Sequence, residues 1–151
     1  MLILLLSSGI LLVYEKEFFR IDEYKKLDIQ ENRFPTSEEI VNYLCSDFVG
    51  DREIGKYGNE IATKYIEDLF TLIKLDKVFN DSYLQEFNEN KNLINNVVGK
   101  ITGINNQTVI VLTAHLDAWY NGALDNASGI ATVLGIANNL KNQSEKAKDY
   151  L

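Results

Sequence analysis

Val109-Ile110-Val111-Leu112-Thr113-Ala114 runs directly into His115-Leu116-Asp117. The first part is short, apolar and rich in β-branched residues, which predicts a strand over residues 108–114 buried on both faces. After a loop comes Asp125-Asn126-Ala127-Ser128-Gly129. Beyond it, Ile130, Val133, Leu134, Ala137 and Leu140 recur at helical steps and predict a helix over residues 128–142. A buried strand that feeds a helix through a short loop predicts an α/β fold. One imidazole and two carboxylates then fall at the strand end and the helix start, where open α/β sheets place their ligands.

Working back from this point, residues 95–103 read as a strand carrying Val97, Val98 and Ile101. Asn105-Asn106 is a turn signal, so the two strands predict a hairpin. Residues 83–87 alternate weakly, like a strand. The clearest helix covers residues 59–74, with Ala62, Tyr65, Ile66, Leu69, Phe70 and Ile73 on one face. Residues 46–58 form a loop with Gly55 and Gly58. Pro35 punctuates the chain, and Thr36-Ser37-Glu38-Glu39 fits a capping box: Thr36 is the N-cap and Glu39 reaches back. The helix it opens buries Ile40, Val41 and Leu44. The tail 141–148 is polar, and residues 149–151 read as the start of a further strand.

At 151 residues and 46% apolar composition, the chain can bury a core of its own. Its net charge of −7 argues against a nucleic-acid or anionic-membrane partner, because no basic stripe exists. Cys45 is single, so no internal disulfide forms; it reads as a small core hydrophobe. Residues 1–14 are almost wholly apolar. They are too short for a membrane-spanning helix and suit a secretory signal, but no basic residue precedes them. The expected division is a signal peptide or membrane anchor at 1–14, a linker at 15–35 and a folded domain at 36–151. The protein is then secreted or membrane-anchored, on the extracytoplasmic side. A buried core helix is the other reading of 1–14.

Neutral imidazole and ionised carboxylate are donors that zinc favours. His115 and Asp125 supply one of each, as candidate metal ligands. Asp117 is suited to accept the other imidazole N–H, which fixes the tautomer and raises ligand basicity. The plain alternative is a satisfied histidine at a strand end, with Asp125 or Asn126 as a helix cap. Ser128 beside His115 and Asp117 evokes a serine hydrolase, but no G-x-S-x-G elbow surrounds it. Trp119 and Tyr120 either line a pocket for an apolar N-terminal side chain or pack the loop.

Ala114-His115-Leu116-Asp117, followed by 122–131 (Gly-Ala-Leu-Asp-Asn-Ala-Ser-Gly-Ile-Ala), resembles the di-zinc aminopeptidases of metallopeptidase family 28, clan MH. The stretch 50–60, with Arg52, Gly55 and Gly58, resembles the loop before that family's first long helix. Asn96-Val97-Val98-Gly99 resembles its "N-V-x-G" strand. The resemblance implies the N-terminal portion of a three-layer α/β/α zinc-exopeptidase fold (phosphorylase/hydrolase-like) with a mixed sheet, truncated. It implies His115 as a terminal zinc ligand, Asp125 as the carboxylate bridging two zincs, and Asp117 as the catalytic residue orienting His115. It makes Asp125–Asn126 a candidate cis peptide and Arg52 a loop-anchoring ion pair. The substrate implied is a peptide, from which N-terminal residues are removed.

The sequence departs from that family too. The family's general base is a glutamate in a Glu-Glu pair beyond the next strand, and nothing here matches it. A later carboxylate ligand and a second histidine are also without counterparts. The pair that remains would hold one zinc weakly or not at all. The expectation is an inactive fragment of a zinc aminopeptidase, with an open edge at 108–114 that invites self-association. The other readings are a non-catalytic binding or interaction module on the same fold, or a truncated gene product.

Overall fold

In the computed structural model, residues 33–89, 92–103 and 108–148 are described. The expected segment 1–14, nearly all of the linker 15–35, the Asn105-Asn106 turn and residues 149–151 lie outside them. Among the described residues no helix is long and apolar enough to cross a membrane.

Helix α1 spans Ser37–Leu44 and begins as its sequence predicts. The Thr36 hydroxyl accepts a hydrogen bond from the Glu39 main-chain N–H at 3.2 Å, and the Glu39 carboxylate accepts one from the Thr36 N–H at 2.8 Å. Each bond satisfies an N–H that the first helical turn leaves without a partner. Ile40 and Leu44 are buried, while Val41 is only half-buried.

Helix α2 spans Tyr57–Leu72. Its apolar stripe of Ile61, Ala62, Tyr65, Ile66, Leu69 and Phe70 is buried, and Ile73 joins it at the C-cap. The Tyr43 ring of α1 stacks on Tyr65 of α2 with centroids 4.0 Å apart. Lys74 turns the chain out of the helix at φ 54°. Tyr83 then locks the exit: its ring meets Phe70 edge-on, and its buried hydroxyl donates to the Leu75 carbonyl at 2.8 Å.

Four short strands follow. β1 (Asp76–Lys77) pairs antiparallel with β4 (Gly99–Lys100). β2 (Leu84–Glu89) pairs antiparallel with β3 (Asn92–Val97), in a register running from Leu84 opposite Val97 to Glu89 opposite Asn92. The result is broadly α/β, with two small antiparallel sheets and no mixed sheet among the described residues.

The predicted strand 108–114 and its hairpin do not form. Residues 108–114 join no ladder, and Val109, Ile110 and Val111 are 81%, 85% and 73% exposed. The segment 95–103 has its hydrogen-bonding partners elsewhere: β3 on β2, and β4 on β1. Apolar content prepares a segment for a sheet interior, but a strand exists only where another strand takes up its N–H and C=O groups.

A single wide turn over Ala123–Ala127 leads into α3, Ser128–Lys148, which continues through the polar tail. Ile130, Ala131 and Leu134 are buried, Val133 and Ala137 half-buried, and Leu140 exposed. α3 packs on α1, so the loop before α3 is carried on a helical base.

Candidate metal site

The segment between the exposed apolar run and α3 holds every residue expected of the site. His115 lies at the end of 108–114, Asp117 two residues on, and Asp125 inside the wide turn with a non-helical backbone (φ −127°, ψ 82°). The peptide after it, Asp125–Asn126, is cis, as the resemblance implies.

The turn folds Asp125 back onto His115. His115 Nε2 is 2.8 Å from Asp125 Oδ1. On the other side of the ring, Nδ1 is 3.0 Å from the Asp117 main-chain carbonyl and 3.3 Å from Asp117 Oδ1. A carbonyl oxygen only accepts, so Nδ1 carries a proton. At 2.8 Å a proton also lies between Nε2 and Asp125. Burial works against charge on the ring. The Asp117 carbonyl, the Asp125 hydrogen bond and the two carboxylate charges outweigh it, and the His115 pKa rises above its ordinary value.

All three side chains reach solvent: His115 is half exposed, Asp117 similarly, and Asp125 is 87% exposed. They border a cleft of about 590 Å³ walled by the loop 115–125. Trp119, Tyr120 and Leu124 stand on its rim, 75%, 84% and 91% exposed. The two aromatic side chains therefore face the cleft and solvent and do not pack the loop. Leu124, next to Asp125, was not foreseen as part of this rim.

Local geometry depends on two glycines. Gly122 has φ 56°, in the left-handed region that other residues rarely adopt. A Cβ on Gly129 would collide with the Asn126 side-chain amide, so this glycine makes room for the residue after Asp125. Ser128 Oγ donates to the Leu124 carbonyl at 3.3 Å, an ordinary first-turn bond. With both ring nitrogens of His115 engaged by Asp117 and Asp125, the serine-hydrolase reading has no base for its nucleophile.

The donor types suit zinc. Nε2 and Oδ1 converge from solvent-open side chains, and Nδ1 is held from behind in the manner of a ligand histidine. They fill two corners of a site. Among the described residues no group of three or more His, Cys, Asp or Glu side chains is placed to hold a metal ion.

The family model described as peptidase family M28 matches residues 96–151. Residues 96–151 are thus similar to that family. The match takes in β3 beyond Asn95, β4, the exposed run, the site loop and α3, and thus His115, Asp117 and Asp125 together. No curated protein and no solved structure matches the chain. Arg52 lies outside the matched residues but reaches into them. It is fully buried, and where an ion pair was expected it binds main-chain carbonyls, those of Leu44, Leu116, Asn121 and Gly122.

Proposed function

We propose that residues 96–151 carry part of a zinc-dependent peptidase site, with His115 and Asp125 as metal ligands and Asp117 as the group that orients His115. The observation that carries this is the 2.8 Å approach of His115 Nε2 to Asp125 Oδ1 beside an open cleft. Bound zinc would supply an acidified water and a Lewis acid for a peptide carbonyl. The chain's own part is to present Nε2 without its proton, to hold Nδ1–H on the Asp117 carbonyl, and to offer the Asp125 carboxylate as the facing ligand. A cation held between Nε2 and Oδ1 would take the place of the proton shared there, so its binding would release one.

The reading extends to an aminopeptidase of the three-layer α/β/α type, acting on peptide N-termini, of which these residues form the N-terminal portion. No Glu-Glu pair follows Asp125 in the sequence. We therefore assign no peptide hydrolysis to these 151 residues acting alone. The apolar segment 1–14 supports an extracytoplasmic location. Calorimetric titration of zinc into metal-free protein tests the site. One weakly bound ion is expected, lost in His115→Ala and in Asp125→Ala, with no release from an aminoacyl nitroanilide. Unchanged binding in both variants would remove the metal reading.

A second reading, a non-catalytic interaction module, is favoured by the exposure of Val109, Ile110 and Val111. A stable dimer that binds no zinc would favour it over the first.

A further inference from the structure

We propose that Arg52 is the positioning residue of this site: its guanidinium sets the spacing of His115 and Asp125 by holding both ends of the loop between them. The proposal rests on reading that pair as ligands. Arg52 Nε donates to the Leu116 carbonyl at 3.1 Å, immediately after His115. Nη1 donates to Asn121 at 3.0 Å and Nη2 to Gly122 at 3.3 Å, shortly before Asp125. Nη1 also donates to the Leu44 carbonyl, at the end of α1. The bonding is reciprocal, because the Arg52 carbonyl accepts from the Ala118 N–H at 3.4 Å and from Asn59 Nδ2 at 3.0 Å.

The connections continue to the ligand itself. The Gly122 carbonyl that accepts from Nη2 also accepts from the Ala127 N–H at 3.0 Å. One oxygen thus joins the guanidinium to the turn carrying Asp125. A Cβ on Gly122 would lie 2.8 Å from Nη2 and 2.9 Å from the Asp125 carbonyl, so the close approach needs this glycine.

Arg52 is 0% exposed, and burying a cation is costly unless its donors are taken up. A planar fork with diverging N–H groups reaches carbonyls on two sides, as the single ammonium of lysine cannot. An interior apolar side chain would fill the same space but would leave the carbonyls of Leu116, Asn121 and Gly122 without this donor.

The chain has one histidine, so its ring resonances in metal-free full-length protein report His115 without ambiguity. In Arg52→Lys and Arg52→Gln, ring 15N and Hε1 signals are expected to move toward those of Asp125→Asn. Helical circular dichroism should be retained and zinc binding weakened about 10–100-fold. A merely structural role predicts a lower Tm with His115 signals as in wild type well below that Tm, and this result would overturn the proposal. Should neither variant fold, the wild type decides. Exchange of the Arg52 guanidinium protons and broadening of the His115 signals should set in together on warming. Free exchange beside sharp, unmoved His115 signals would overturn it. If zinc leaves the wild-type ring signals unmoved, the metal reading fails, while the positioning role still stands or falls on the zinc-free signals.

Discussion

His115 shows how two carboxylates ten residues or fewer away set one ring's chemistry. Both nitrogens donate, Nδ1 to the Asp117 carbonyl and Nε2 to Asp125. This favours the imidazolium, in line with the upward shift of its pKa. A histidine whose folded pKa is raised contributes stability that is fully present below the unfolded pKa and is lost as pH rises through the folded one. The side chain is half exposed, so the contribution is small. In a proton NMR titration, His115 is expected to titrate above its ordinary value, and Asp125→Asn to bring it down. An unchanged midpoint in that variant would show that Asp125 does not act on the ring. The donor types were legible in the sequence. The use of the Asp117 main-chain carbonyl beside its carboxylate was not, since it depends on how the loop backbone turns.

At the scale of elements, the helices follow local rules. α1 is only eight residues long, too short to be stable by propensity alone, so its cap matters. Thr36→Ala removes the acceptor for the Glu39 N–H and should cost about 1 kcal/mol, read as a lower midpoint in urea unfolding. No change in that midpoint would mean that packing of Ile40 and Leu44 alone holds the helix. The stripes of α2 and α3 were readable because side chains three and four residues apart share a face. Strands gave up less. The joining of β1 to β4 brings together residues 22 to 24 positions apart, for which no local pattern speaks. The run 108–114 was apolar enough for a strand interior and still forms none, because no described strand lies beside it.

For the molecule as a whole, the main consequence is that exposed run. Val109, Ile110 and Val111 form consecutive apolar surface with main-chain groups outside any ladder, the combination that promotes edge-to-edge association. Concentration-dependent self-association is expected in light scattering coupled to size exclusion, reduced by Ile110→Lys. A monomer at every concentration, with Ile110→Lys indistinguishable from it, would show that the run is not an association surface.

By itself the sequence determined the helices, the capping box and the imidazole–carboxylate chemistry of the site, because each is written in residues within about a turn or a loop of one another. It also carried the M28 resemblance, through short motifs in order. Only the tertiary structure decided which strands pair, that 108–114 stays unpaired, and that Arg52 binds carbonyls 64 to 70 positions away on both sides of the site loop. Those outcomes depend on which groups meet when the chain closes on itself. A buried N–H or C=O pairs with whatever partner the packing brings, and residue order alone does not name that partner.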